Sequence, residues 1–127
     1  NQTSSATPTT LYLDGTGLSQ NVVMGAGARW GVTVDITAAT TGAINKSARF
    51  GRSFQIDRPT NAASTVIVGP IQTIATDTGT NGGSPPAGWA ITITADTTNG
   101  GPKIQVTGDT DIINWNATIH YTQVIRV

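Results

Sequence analysis

The C-terminal stretch, residues 111–127, limits the choice of fold more than any other part of the chain. It contains neither glycine nor proline, and its apolar and polar side chains alternate. The apolar positions are Ile113, Trp115, Ala117, Ile119, Tyr121, Ile125 and Val127, interrupted by Gln123. Because successive side chains of a strand point to opposite faces, this pattern predicts a long β-strand with one buried and one solvent-facing side. Such a strand needs partner strands, and the preceding sequence provides them.

Alternating patterns of the same kind recur along the chain. Residues 29–38, 44–58 and 89–96 each alternate, and turns rich in glycine, asparagine and proline separate them. Several strands at short spacing favour a β-sandwich or barrel over units in which strands and helices alternate. We therefore predict an all-β fold, an antiparallel β-sandwich, jelly-roll-like, of about eight strands. Tyr121 lies on the apolar side of its strand and is expected to be buried. The centre of the core is expected at Trp30, Phe54, Trp89, Trp115 and Ile119.

Two positions depart from regular strand patterns. Arg52 lies on the apolar side of its strand, where an unpaired charge is costly. Either a bulge near Gly51 shifts the register, or Arg52 reaches a partner across a subunit interface. Residues 64–68 and 71–76 are predicted as two strand segments that bend at Gly69–Pro70.

Composition agrees with this fold and narrows the possible functions. The acidic residues are all aspartate, and only 11% of the residues are charged. Glutamate favours helices and threonine favours strands, so we expect almost no helix. The formal net charge is zero, which gives no general attraction to nucleic acid or to an anionic membrane. No apolar run approaches the ~20 residues of a membrane-spanning helix, so no membrane insertion is expected.

The chain is long enough for one domain with its own core. Residues 1–10 are rich in serine, threonine and asparagine and are predicted to be a linker to an upstream segment. Residues 11–127 are then expected to form a single domain. The chain has no cysteine, so neither disulfides nor thiol chemistry is available to it.

The sequence offers little for catalysis or metal binding. His120 is the only histidine, it lies on the polar side of the last strand, and the nucleophile motif Gly-x-Ser-x-Gly is absent. Asp109–Thr110–Asp111 offers oxygen ligands to calcium, but it lacks the spaced ligands of an EF-hand, and we favour a turn. The other aspartates in turns are expected to accept hydrogen bonds from nearby backbone amides. We predict no catalytic residue, no metal and no cofactor.

The longest turn-rich stretch, residues 77–88, is the candidate binding loop. Loops of this length are uncommon in compact domains, and they are often functional. Short polar side chains can pair with sugar hydroxyls, and Trp89 at the base of the loop could stack against a sugar ring. The alternatives are a mobile loop without a partner and a Trp89 that belongs to the core. The candidate receptor-binding residues are Asp77, Thr78, Asn81, Ser84 and Trp89.

Four stretches together resemble the C-terminal domains of tail fibres from tailed phages and prophages. They are Leu11–Gly15, Asn61–Gly69, Trp89–Gly100 and Ile113–Val124. The resemblance implies a homotrimeric β-sandwich tip that follows a fibre shaft and contacts the bacterial surface. The implied location is the virion, in an extracellular tail fibre, and the implied partner is a host surface polysaccharide or lipopolysaccharide. In such a trimer, Arg52 is the candidate subunit-interface residue.

Three other functions remain open on sequence grounds. One is a non-catalytic trimerisation or structural module of a tail protein. Another is a carbohydrate-binding module of a secreted bacterial enzyme, which has a similar composition. An enzyme such as a capsule depolymerase would need a pair of carboxylates in a groove, and only aspartate is present to supply them.

Overall fold

The computed structural model describes residues 1–13, 21–42 and 45–125. Within these residues the chain forms nine strands in two antiparallel sheets, together with two short 3₁₀ turns at Ala62–Ser64 and Thr80–Gly82. The strands are β1 (Gln2–Thr3), β2 (Thr9–Thr10), β3 (Ala28–Thr40), β4 (Ser47–Arg58), β5 (Val66–Thr73), β6 (Thr78–Gly79), β7 (Ala90–Asp96), β8 (Gly101–Thr107) and β9 (Ile113–Ile125). In the described residues, no helix has the length and apolar character needed to cross a membrane.

The larger sheet is built on β3 and β9, the two longest strands. They pair along their whole length, from Ala28 opposite Ile125 to Thr40 opposite Ile113. The strand order is β1–β9–β3–β4–β5, and β6 pairs with β4. After two strands in the other sheet, the chain returns to the larger sheet as β9, which lies beside β3. The strands β3, β4, β5 and β9 therefore have the order of a Greek key. The long C-terminal strand predicted from the alternating pattern is confirmed up to Ile125.

The smaller sheet, in the order β2–β8–β7, packs on one face of the larger sheet. The predicted all-β sandwich is therefore confirmed, with sheets of unequal size. We call the face of the larger sheet that points away from the smaller sheet the outer face. It carries the polar side chains of β3, β4 and β9, and it positions the site described below.

The core between the sheets contains most of the residues expected there. Trp30, Phe54, Trp89 and Trp115 are all buried, as predicted. Ile119 is only half-buried, and Tyr121, expected in the core, is 54% exposed. The smaller sheet has shorter strands, and burial along the inner side of β9 declines steadily after Trp115. The alternation of β9 thus indicates which side chains face inward, but not how far the opposing sheet extends.

The first ten residues differ from the expected linker, because they take part in both sheets. Gln2–Thr3 pairs with β9, and Thr9–Thr10 pairs with β8. The side chain of Thr3 is buried, and its Oγ1 accepts a hydrogen bond of 2.8 Å from Trp115 Nε1. Short polar residues therefore form an edge strand here, and Thr3 accepts the hydrogen bond of a buried indole N–H. Composition alone does not reveal this role.

The bend predicted at Gly69–Pro70 appears as a bulge inside a single strand, β5. Ser53 of β4 lies opposite Gln72, whereas Gln55, two residues further on, lies opposite Val68. The extra residues of β5 therefore loop out at Gly69–Pro70, and Gly69 has a φ of +79°. Proline lacks an amide hydrogen, so the position suits an edge strand.

Candidate functional site

The loop expected to bind a receptor, residues 77–88, is largely structured. Thr78–Gly79 forms β6 on the edge of β4, and a 3₁₀ turn follows directly. Thr80 Oγ1 accepts a hydrogen bond of 3.0 Å from the backbone amide of Ser47, which fastens the turn to the start of β4. The exposed tip of the loop is 81–84, so Asn81 and Ser84 are accessible while Thr78 is half-buried.

Asp77, the first residue of the loop, is bound to Arg52 of the same chain. Arg52 Nη1 and Nη2 donate to the two carboxylate oxygens of Asp77 at 2.6 and 2.8 Å, and Nη1 also donates to the carbonyl oxygen of Gly51. The hydrogen bond to Asp77 raises the pKa of Arg52. The reason for placing Arg52 at a subunit interface therefore falls away, and Asp77 acts as an anchor of the loop.

Trp89 is 5% exposed and cannot offer a ring face to a sugar. Its ring packs against Trp115 at a centroid distance of 5.6 Å, and its Nε1 donates to Asp109 Oδ2 at 2.9 Å. The alternative interpretation of Trp89, as a core residue, is the one that the structure shows. A buried indole N–H needs an acceptor, and Asp109 provides one for Trp89 at the base of the loop.

The aspartates near the start of β9 form a cluster with a lysine. Lys46 Nζ donates to Asp111 Oδ2 at 2.6 Å and to Asp109 Oδ2 at 3.2 Å. The Asp111 amide donates to Asp109 Oδ1, which is the turn interaction expected for these residues. The hydrogen bonds that Lys46 donates to Asp111 and Asp109 raise the pKa of Lys46, so its ammonium group stays charged beside the two carboxylates. No group of three or more metal-ligating side chains occurs among the described residues.

A hollow of about 310 Å³ lies on the outer face, and we call it the first hollow. Its floor is formed by Thr33, Asp35 and Gly51, and its wall by 74–76 together with Thr78. The wall exists because the chain leaves the edge of β4 after Thr73 and rejoins it at Thr78. Thr78 is thus the one loop candidate that the structure places in this site.

The wall of the first hollow is held close to the sheet by Ile74. The Ile74 amide donates to the carbonyl oxygen of Gly51 at 3.2 Å. Ile74 Cβ lies 3.6 Å from the point where a Cβ on Gly51 would be. Ile74 is 54% exposed, so it presents an apolar surface above a polar floor.

An ion pair between Asp35 and Arg49 lines the first hollow. Arg49 Nε and Nη2 donate to Asp35 Oδ1 and Oδ2 at 3.1 and 2.8 Å. The hydrogen bond from Arg49 lowers the pKa of Asp35, so the carboxylate is charged at neutral pH. Both side chains are partly accessible, with exposed fractions of 41% for Asp35 and 66% for Arg49. The pair can therefore accept hydrogen bonds and donate them to one ligand.

A second hollow of about 340 Å³ adjoins the first at Thr33. Thr33 lies directly opposite His120 on β9 and Ser53 on β4, and all three line this second hollow. Gly31 deepens it, because a side chain there would begin 3.3 Å from Thr122 Oγ1 and narrow the space. The two hollows therefore lie side by side across the middle of the outer face, and each combines polar side chains with apolar surface.

The sequence pattern placed these outer-face residues on the polar sides of their strands, with no sign that they group together. The alternation of β3, β4 and β9 placed Thr33, Asp35 and His120 on polar strand sides. A possible signal was the pair of glycines, Gly31 and Gly51, on those sides, since glycine in a strand often marks a close approach by a ligand or by backbone. The strand register that brings the residues together was not available from the pattern.

Comparison of this chain with models of protein families, with curated proteins and with solved structures finds no match.

Proposed function

We propose that this domain is the receptor-binding tip of a phage tail fibre and that it attaches the virion to a glycan on the bacterial surface. The family assignment rests on the sequence resemblance. The observation that supports glycan binding is the first hollow, where the accessible Asp35–Arg49 pair faces the apolar wall of Ile74. The proposal moves the binding surface from the loop tip to the outer face of the larger sheet.

The first hollow fits the chemistry of a sugar ring. A pyranose has apolar C–H groups beside hydroxyls that both donate and accept hydrogen bonds. Ile74 can contact the C–H groups, while Asp35 accepts from hydroxyls and Arg49 donates to them. The volume of about 310 Å³ lies at the lower end of the range for small-ligand sites. One sugar residue of a longer chain is therefore the natural occupant.

The charges favour a neutral sugar in the first hollow. Asp35 balances Arg49, so the ion pair carries no net charge. An acidic sugar would bring a second carboxylate close to Asp35, which is unfavourable. The second hollow, whose lining includes Thr33, Ser53 and His120, adjoins the first and can accept a neighbouring sugar of the same glycan.

An array of bacterial capsule and O-antigen oligosaccharides tests this proposal. We expect the purified domain to bind a subset of the printed glycans, and the Asp35→Asn and Arg49→Gln variants to lose about tenfold or more in affinity, since each removes charged hydrogen bonds. Arg29→Gln is the matched control. It breaks the ion pair of 2.7 Å between Arg29 and Asp57, which lies on the same face but outside both hollows.

The control variant should bind the same glycans as the unaltered domain. Absence of binding to every printed glycan would contradict the proposed function. Binding that survives in Asp35→Asn and Arg49→Gln would place the receptor site elsewhere on the domain.

A further inference from the structure

Tyr121 is an exposed aromatic residue held in a fixed orientation. It lies on the inner side of β9, where the smaller sheet no longer covers it, and it is 54% exposed. One face of its ring stacks on the buried ring of Trp30, with a centroid distance of 4.0 Å and an angle of 17° between the planes. The exposure of Tyr121 therefore comes from the opposite ring face and the hydroxyl end.

Gln123, two residues further along the same side of β9, is oriented by the same tryptophan. Trp30 Nε1 donates to Gln123 Oε1 at 2.8 Å. An indole N–H is only a donor, so the amide oxygen of Gln123 must face Trp30 and its NH₂ group must face away. Since Gln123 is exposed, two amide hydrogens are presented to solvent beside the Tyr121 ring.

We propose that Tyr121 and Gln123 form a second sugar-binding site, one that takes a single pyranose residue by stacking. The face of an aromatic ring is negative and attracts the positively polarised C–H groups of a pyranose. Residues i and i+2 of a strand lie about 7 Å apart, a separation comparable with the width of one pyranose and its hydroxyls. A sugar stacked on Tyr121 can therefore accept a hydrogen bond from the Gln123 amide.

The fixed orientation distinguishes this pair from an ordinary exposed aromatic residue, which is common on protein surfaces. Trp30 is 4% exposed and holds the ring of Tyr121 by stacking and the amide of Gln123 by a hydrogen bond. Because both groups are already ordered, little side-chain entropy is lost when a ligand binds. This inference rests on the proposed glycan-binding function, but the side chains of Tyr121 and Gln123 lie on the opposite side of β9 from that of His120, even though Tyr121 is among the residues around the second hollow.

An NMR titration of the labelled domain with a panel of neutral methyl pyranosides tests the second site. We expect at least one pyranoside to shift the ring resonances of Tyr121 and the side-chain amide resonances of Gln123 in a saturable way. Cyclohexanol, which has an apolar ring without the rim of hydroxyls, serves as the control ligand and should give no saturable shift.

Three variants separate the contributions of the ring and the amide. Tyr121→Leu keeps Trp30 covered but removes the aromatic face, and Gln123→Glu keeps an acceptor for Trp30 Nε1 but removes the donors. Each should weaken pyranoside binding by about three- to tenfold. Tyr121→Phe keeps the ring face and should retain binding within about twofold. Unchanged melting of Gln123→Glu would show that its effect is on binding.

Several results would overturn the second site. These are the absence of a saturable shift with every pyranoside, equal shifts with cyclohexanol, and full binding by Gln123→Glu. Shifts of Tyr121 that follow protein concentration would instead identify a contact between copies of the chain. The site at Tyr121 and Gln123 does not include Asp35 and stays intact in Asp35→Asn. A negative binding result for the first hollow would therefore contradict only the proposed function of that hollow.

Discussion

Arg52 carries its charge on the side of β4 that faces the core, and the chain neutralises that charge itself. The side chain of Arg52 is 16% exposed, and its guanidinium group binds Asp77, which follows the segment that crosses the outer face. The sequence pattern identified Arg52 as unusual but not its partner, because the pairing depends on the path of residues 74–77. The same limit applied to Trp89, whose acceptor Asp109 comes two strands later, after β7 and β8.

Replacing Arg52 by alanine should therefore destabilise the domain. The free energy of unfolding should fall by about 1–3 kcal/mol, because Asp77 loses a bidentate partner in a half-buried position. Urea denaturation of the variant measures the change. Arg49→Ala is the matched control, since its pair with Asp35 is exposed and should contribute less. Equal loss of stability in both variants would contradict the anchoring role of Arg52.

At the scale of elements, the two long strands were predictable and their surroundings were not. Alternation identified β9 and its inner side, and Gly69–Pro70 identified the break in β5. The exposure of Tyr121 was not predictable, because it depends on the extent of the smaller sheet. The burial of Thr3 was missed for a related reason, since a two-residue strand is too short to show a period.

Trp115 should be the most costly residue of β9 to truncate. It is buried between Phe50 and Trp89, and its Nε1 is satisfied by Thr3. Trp115→Ala should lower the free energy of unfolding by about 3–5 kcal/mol, because a large cavity remains. Tyr121→Ala, on the same side of the same strand, should cost clearly less. Thermal melting of the two variants checks the order, and equal melting temperatures would contradict the decline of burial along β9.

At the scale of the whole molecule, the sandwich followed from the spacing of the strands, whereas the first hollow did not. The hollow needs β3 and β4 in register and the segment around Ile74 folded over Gly51. Each part has an unremarkable sequence, so only the assembled fold brings Asp35, Arg49 and Ile74 together. The polar composition of residues 77–88 is visible in the sequence, whereas the concave shape of the outer face is not.

The resemblance to tail fibres predicts a homotrimer. Light scattering should give a mass near three times 13.1 kDa. Arg52→Ala should leave that mass unchanged, because its charge is paired within one chain. A mass near 13.1 kDa would contradict the trimer. Loss of the trimer in Arg52→Ala would show that Arg52 contributes to the subunit interface.

The position of a bound glycan distinguishes the first hollow from the loop tip. The measurement is an NMR titration of the labelled domain with the oligosaccharide that binds most strongly on the array. We expect saturable shifts of backbone amides around the first hollow, at Thr33, Asp35 and Gly51, and of the side chain of Arg49. Shifts confined to the loop tip 81–84, with none at these positions, would contradict this expectation.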